Sequence, residues 1–99
     1  MINMQIRSEG GEIVTRGSTP GIRWSDALAQ IDREKFPCLA GLLPYADTMF
    51  NGRQVERLRM EVESQSVRDI LGEENASEIE TLCRRVENSS HLYLWFLGD

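Results

Sequence analysis

The last nine residues constrain the fold of this chain more than any other segment. His91 to Leu97 is an unbroken run of histidine, aromatic and aliphatic side chains, followed by Gly98 and Asp99. A short apolar run with three aromatic residues is typical of a strand buried on both faces. Side chains alternate along a strand, which predicts two sets: Leu92, Leu94 and Phe96 on one side, and His91, Tyr93, Trp95 and Leu97 on the other. We therefore expect the rest of the chain to cover this segment in the interior of a sheet.

The first sixteen residues predict a β-hairpin. Ile2, Met4 and Ile6 alternate with polar residues, as in a strand with one buried face. A second segment, 12–16, is rich in β-branched residues. Gly10 and Gly11 lie between the two and predict a two-residue turn, because both glycines can adopt a positive φ.

The middle of the chain is less regular. Ser25 can cap a helix that runs to about Lys35, with Leu28 and Ile31 facing inward and Pro37 closing it. Residues 36–50 are apolar but contain two prolines. They can hold a short buried strand around residues 38–43, or form a packed loop.

Two longer helices are predicted in the second half. Asn51 and Gln54 have the spacing of a capping box, and Val55, Leu58 and Val62 follow on one helical face. The periodicity breaks around residues 64–66 and again at Gly72. From Glu73 to Asn88, helical spacing is shown by Ala76, Ile79, Leu82, Cys83 and Val86.

These elements predict a single α+β domain over residues 1–99, in the order β-β-α-(loop)-α-α-β. The N-terminal hairpin and the C-terminal strand would share a small antiparallel or mixed sheet. The helices would pack on one face of that sheet, with the C-terminal strand at its centre.

The formal charge of −5 is concentrated late in the chain, where residues 73–99 hold six acids and two bases. Surplus acid repels phosphate backbones and favours basic partners, so we expect no nucleic-acid partner. The start of the chain lacks the pattern of a secretory signal, and no apolar run approaches the ~20 residues that cross a bilayer. We expect a cytoplasmic protein without a membrane partner.

No motif in the sequence names a reaction, and we predict a non-enzymatic protein without a cofactor or metal. The glycines form no phosphate-binding loop. His91 is the single histidine, and a dyad with Cys38 has no supporting local signature. Cys38 and Cys83 lack metal-site spacing, and in a cytosolic chain we expect them to stay unpaired. A carboxylate metal site could draw on Asp47, Glu56, Glu61, Glu63 and Asp99, but the glutamates alternate with arginines as on a solvated helix.

Candidate binding residues are acidic or aromatic. Glu73, Glu74, Glu78 and Glu80 form either a solubilising helix face or a docking patch for a basic protein. Trp24, in a loop, is the better surface aromatic, whereas Tyr93 and Trp95 belong to the strand and are predicted to be core.

Two segments carry a resemblance to known proteins: Pro44-Tyr45-Ala46-Asp47-Thr48-Met49-Phe50-Asn51 and the ending His91-Leu92-Tyr93-Leu94-Trp95-Phe96-Leu97-Gly98-Asp99. Together they resemble a group of small bacterial proteins with a P-Y-x-D-T-x-F-N segment and a terminal H-L-Y-L-W-F-x-G-D. The resemblance covers roughly the C-terminal half. Such proteins are similar in size and acidity to immunity proteins of polymorphic or contact-dependent toxin systems. The resemblance supplies no active-site residue.

The resemblance implies a protein that neutralises a cognate toxin domain, such as a basic nuclease, by protein–protein contact. The candidate partner-binding residues are Glu73, Glu74, Glu78, Glu80, Trp24 and Asp47. The alternative is a regulatory or structural domain that acts as a homo-oligomer through apolar surface in residues 36–50. A small enzyme using His91 with Cys38 or Asp47 is the third hypothesis.

Overall fold

A computed structural model describes residues 1–98 of the protein, so Asp99 lies outside the described residues. The elements of this part of the chain are β1 (Asn3–Ser8), β2 (Ile13–Arg16), α1 (Asp26–Ala29), α2 (Pro37–Ala40), β3 (Asp47–Phe50), α3 (Gly52–Glu61), α4 (Gln65–Leu71), α5 (Glu73–Glu87) and β4 (Leu92–Leu97).

The four strands form one antiparallel sheet in the order β2-β1-β4-β3. The predicted α+β class, the N-terminal hairpin and the central C-terminal strand are all confirmed. β4 pairs with β1 from Asn3↔Leu97 to Ser8↔Leu92, and on its other side with β3 from Asp47↔Leu97 to Phe50↔Leu94. Of the antiparallel and mixed alternatives, the structure has the antiparallel one.

The prediction that β4 is buried on both faces is wrong. Leu94 and Phe96 are fully buried, but Tyr93 and Trp95 on the opposite face are half-exposed. The reason is that the helices cover one face of the sheet and leave the other without a second layer. His91 also lies outside the strand, in the preceding turn, with an exposed side chain.

The hairpin turn differs from the predicted two-residue form. The Gly11 N–H donates to the Ser8 carbonyl (2.9 Å) and the Ser8 N–H to the Glu12 carbonyl (2.9 Å), so three residues form the loop. Gly11 has φ +86°, whereas Gly10 has no positive φ. This is the geometry of a loop that places one glycine in the left-handed region beside a bulge.

The helix predicted from Ser25 to Lys35 is much shorter. Ser25 does cap it, since its Oγ accepts a hydrogen bond from the Leu28 N–H (3.2 Å). The helix ends at Ala29, and Asp32 Oδ1 then accepts from the N–H groups of Glu34 (2.9 Å) and Lys35 (3.3 Å). Such a side-chain turn competes with helical hydrogen bonding.

Residues 36–50 are also arranged differently from either alternative. Pro37 opens α2 at its first position instead of closing α1, where the missing N–H costs nothing. Residues 38–43 hold no strand; the strand of this segment is β3, at its end. α2, β3 and α4 are the elements that the predicted order lacks.

The two longer helices follow the sequence prediction. Asn51 and Gln54 form the predicted capping box of α3, and the predicted inward residues of α3 and α5 are buried. α3 ends before Ser64, and Gly72, with φ +87°, separates α4 from α5. The two helices pack against each other and on β4.

The core lies between this helical layer and one face of the sheet, and includes Phe50 and Phe96 in an edge-to-face contact at 5.6 Å between ring centres. Within residues 1–98 no helix has the length and apolar character needed to span a membrane.

Candidate binding surfaces

The four glutamates of the predicted acidic patch lie on two different sides of α5. At 100° per residue, Glu73 and Glu80 share one side of the helix, and Glu74 and Glu78 share another. The structure therefore does not bring the four carboxylates together as a single patch.

Glu73 and Glu80 both form ion pairs with Arg68 of α4. The Arg68 guanidinium donates to Glu73 Oε1 (2.5 Å) and Glu80 Oε1 (2.5 Å), and also to the carbonyl of Val62 (2.9 Å). The hydrogen bonds from Arg68 hold the pKa of Glu73 below its ordinary value. These two acids join α4 to α5, and Arg68 offsets one of their two negative charges.

Replacing Arg68 by methionine is expected to return the pKa of Glu73 to its ordinary range and to lower the free energy of unfolding at neutral pH. A carboxyl group with a lowered folded-state pKa stabilises the fold above its unfolded pKa, and this contribution is lost as the pH falls through the folded value. The stability difference between the proteins should therefore shrink in acid.

Carboxyl NMR titration and urea unfolding at neutral and acid pH check this. Arg84→Met is the matched control, since Arg84 is exposed and makes no ion pair among the described residues. A Glu73 titration curve that is the same with and without Arg68 would contradict the assignment.

Glu74 and Glu78 line a cavity of about 390 Å³ between α5 and the loop after β2. Glu78 is engaged there, accepting from the Ser18 hydroxyl (2.6 Å) and backbone N–H (3.2 Å). Glu74 is exposed and makes no hydrogen bond or ion pair within residues 1–98. Of the four predicted acidic residues, Glu74 is the one with an unengaged charge.

The two remaining predicted contact residues, Trp24 and Asp47, differ in their exposure to solvent. Trp24 is half-buried and packs against the core, so only part of its ring is available to a partner. Asp47 is exposed and begins the edge strand β3 opposite Leu97.

The candidate catalytic residues have separate surroundings. His91 Nδ1 lies 3.2 Å from Glu9 Oε1, with 72% of the histidine side chain exposed. Cys38 contacts Gln54 and Glu61 instead, so the structure does not form the Cys38–His91 dyad. Burial raises the pKa of the Cys38 thiol to about 12, which keeps it protonated and poorly nucleophilic at neutral pH.

The other groups considered for chemistry have structural partners. Cys83 is a buried free thiol, and burial raises its pKa to about 12. Glu61 is buried and accepts hydrogen bonds from the backbone N–H groups of Cys38 and Leu39, both at 3.0 Å. Among residues 1–98, no group of three or more His, Cys, Asp or Glu side chains is arranged to hold a metal ion. The Asp99 carboxylate lies outside the described residues.

Exposed and half-exposed apolar and aromatic side chains lie on the sheet face that no helix covers. We call this surface the open sheet face. It follows from the register of the four strands that its residues are Asn3, Gln5, Arg7, Ile13, Arg16, Asp47, Met49, Tyr93, Trp95 and Leu97. Met49 and Ile13 are 46% and 43% exposed.

The centre of the open sheet face is organised by Arg7 and Trp95. The Arg7 guanidinium carbon lies 4.6 Å from the centre of the Trp95 ring, a cation–π contact, and Arg7 Nε donates to Gln5 Oε1 (3.0 Å). Tyr93 lies opposite Arg7 on the neighbouring strand. The side chains of Arg7 and Trp95 are thus held in place by their mutual contact while remaining half-exposed.

Sequence reasoning missed this surface because it assigned Tyr93 and Trp95 to the core. The signal was available in the alternation of β1, where Asn3, Gln5 and Arg7 mark a wet face. Because β4 pairs with β1 and the helices pack on the other side of the sheet, alternate side chains of β4 must lie on the same wet face.

Comparison of the chain with models of known protein families, with curated proteins and with solved structures finds no match.

Proposed function

We propose that the protein is an immunity-type binding protein, which neutralises a cognate bacterial toxin domain by protein–protein contact. The observation that carries the proposal is the open sheet face. Trp, Tyr, Arg and Met are the residue types enriched in protein interfaces, and Arg7, Met49, Tyr93 and Trp95 display all four on one uncovered surface.

The rigidity of this surface also favours a binding role. A partner that docks on a sheet contacts side chains whose backbone is already ordered, which reduces the entropy lost on binding. Trp95 is further held by Arg7, and Arg7 by Gln5, so the contact geometry exists before the partner arrives.

The net charge of −5 supports a basic partner, since opposite net charges speed association. In this proposal Glu74 helps to attract the basic partner electrostatically. Glu73, Glu78 and Glu80 contribute less to this attraction because they have contacts within the chain. Asp47, at the edge of the face, and the exposed part of Trp24, which is not one of its residues, are secondary contacts in this proposal.

The experiment expresses the C-terminal domain of the protein encoded by the neighbouring gene as the candidate toxin domain, and measures its binding to the full chain by calorimetry and the inhibition of its toxicity. We expect a 1:1 complex, and Trp95→Ala should weaken it by about a hundredfold, the effect of losing a central aromatic contact. Tyr45→Ala is the control, because Tyr45 is 84% exposed and outside the face. Full toxin activity with excess protein present would reject the proposal.

The second candidate function is a homo-oligomeric regulatory or structural domain. One observation favours it: within the apolar segment 36–50, Leu43, Tyr45 and Met49 are 51%, 84% and 46% exposed. Sedimentation across a wide concentration range separates the two, because this candidate requires self-association and the immunity-type protein does not.

A further inference from the structure

We infer that the open sheet face receives a protein segment that carries carboxylates, and that Arg7 and Arg16 are the residues that pair with them. This inference rests on the proposed binding function and names the chemistry of its contact. A partner that is basic overall still presents acidic side chains locally, so net charge and contact charge are separate properties.

The charge of the face supports an acidic occupant. Arg57, Arg59 and Arg68 each have a carboxylate partner within the chain. Arg7 and Arg16 lie on the open sheet face and make no ion pair within residues 1–98. The face thus carries two cations for which residues 1–98 supply no ion-pair partner, in a chain whose net charge is negative.

The acid of this face lies at its far edge. Asp47 is on β3, opposite Leu97, which in turn lies opposite Asn3 of β1. It is therefore two strands, or roughly 10 Å, from β1. Arg16 is one strand further away on β2. The strands β1 and β2 themselves place no acidic side chain on the face.

A cavity beside Arg16 provides a place for one carboxylate. It measures about 220 Å³ and is lined by Asn3, Gln5, Arg16, Thr19 and Leu97 together with Met4 and Gly17. Thr19 Oγ1 is buried there without a hydrogen-bond partner among the described residues. The Arg16 guanidinium lines this cavity as a charged donor, from which a carboxylate placed there would accept.

Arg7 provides the second contact. Its guanidinium carbon lies 4.6 Å from the Trp95 ring centre, and the hydrogen bond from its Nε to Gln5 leaves the terminal nitrogens available. Tyr93, Met49 and Ile13 surround the pair with exposed apolar area. Charged donors within apolar surroundings suit a protein segment with alternating acidic and apolar side chains.

The same face is less suited to nucleic acid. Aromatic side chains and arginines do stack on bases, but affinity for a phosphate backbone grows with the number of phosphates that are neutralised. Two unpaired arginines on a face of a chain with net charge −5 supply little of that attraction.

Two measurements test the inference. In the first, Arg7→Gln and Arg16→Gln should each weaken binding of the neighbouring toxin domain by about tenfold or more, as expected for loss of one partner of a charge pair in an interface. Arg84→Gln is the matched control on the helical side, with no expected change.

The second measurement uses a short peptide of alternating glutamate and leucine as the probe, followed by NMR of the full chain. We expect shifts at the Trp95 indole N–H and at the Arg7 and Arg16 side chains, which disappear in the double arginine variant. The lysine–leucine peptide and oligothymidylate should cause none. Larger shifts with oligothymidylate, or shifts that appear on dilution without any probe, would overturn the inference in favour of nucleic acid or a second copy.

The two proposals fail separately. A toxin domain that binds both arginine variants and the native protein equally well removes this inference and keeps the proposed function. A toxin domain that does not bind, while the acidic peptide still shifts Trp95 and Arg16, removes the proposed function and keeps the surface assignment.

Discussion

Phe96→Ala is expected to lower the free energy of unfolding by about 3–5 kcal/mol, the range for removing a buried phenylalanine. Phe96 is 1% exposed, lies on the central strand and packs edge-to-face against Phe50. Since a domain of this size has a total stability of about 5–15 kcal/mol, the variant should be partly unfolded at moderate temperature. Urea unfolding followed by tryptophan fluorescence measures the change.

Met49→Ala is the control, since Met49 lies on the neighbouring strand but on the open sheet face and is 46% exposed. Its cost should stay within about 0.5 kcal/mol, the usual range for a surface substitution. Hydrogen exchange gives an independent readout, with the amides of β4 among the slowest in the chain. Equal stability of the two variants would contradict the placement of the Phe96 side chain in the core.

Glu61→Ala is expected to cost about 3 kcal/mol, although glutamate is usually a surface residue. The carboxylate is buried and accepts from the N–H groups of Cys38 and Leu39 at the start of α2. It also lies 3.4 Å from Arg57 Nε. The N-cap residue of α2, Phe36, has no side-chain acceptor, so Glu61 supplies from α3 the cap that α2 lacks.

Glu63→Ala is the matched control, because Glu63 lies on the same turn but is 63% exposed and its contact with Arg59 is 3.9 Å long. We expect a change within about 0.5 kcal/mol there. Glu61→Gln should fall between the two, since its amide keeps one acceptor oxygen for two donors. A Glu61→Ala protein that unfolds at the same urea concentration as the native protein would contradict this role.

These two substitutions concern the architecture that presents the open sheet face. α3 and α5 cover one side of the sheet, and Glu61 attaches α2 to that layer. Because the apolar core lies on this side of the sheet, the residues on the opposite side do not have to pack against a second layer. Arg7 and Trp95 are then available for recognition, as the proposed function requires.

The helical half of the protein could be predicted closely. The capping box of Asn51 and Gln54 and the inward stripe of α5 are local patterns, and both are confirmed. The failures are also local in origin. Asp32 forms a side-chain turn within the segment predicted to continue α1, and Pro37 begins a helix, a position that suits proline as well as a helix end does.

The binding surface was harder to predict than the fold. The acidic residues of α5 looked like one patch in the sequence. In the structure, two of them form ion pairs with Arg68 and a third accepts hydrogen bonds from Ser18. Tyr93 and Trp95 looked like core because the apolar run is continuous. An apolar side chain on a strand is buried only if a second layer packs on its side of the sheet. The sequence pattern of the strand itself does not show whether such a layer exists.

The amino-acid sequence by itself determined the starts of α1, α3 and α5, the inward faces of α3 and α5 and the strand character of both termini. Those features depend on residues within about four positions of one another. The tertiary structure alone decided the strand order, the face left open and the burial of Glu61, whose hydrogen-bond partners lie 22 and 23 residues away. Such contacts form between distant segments, so their physical cause is the packing of the whole domain.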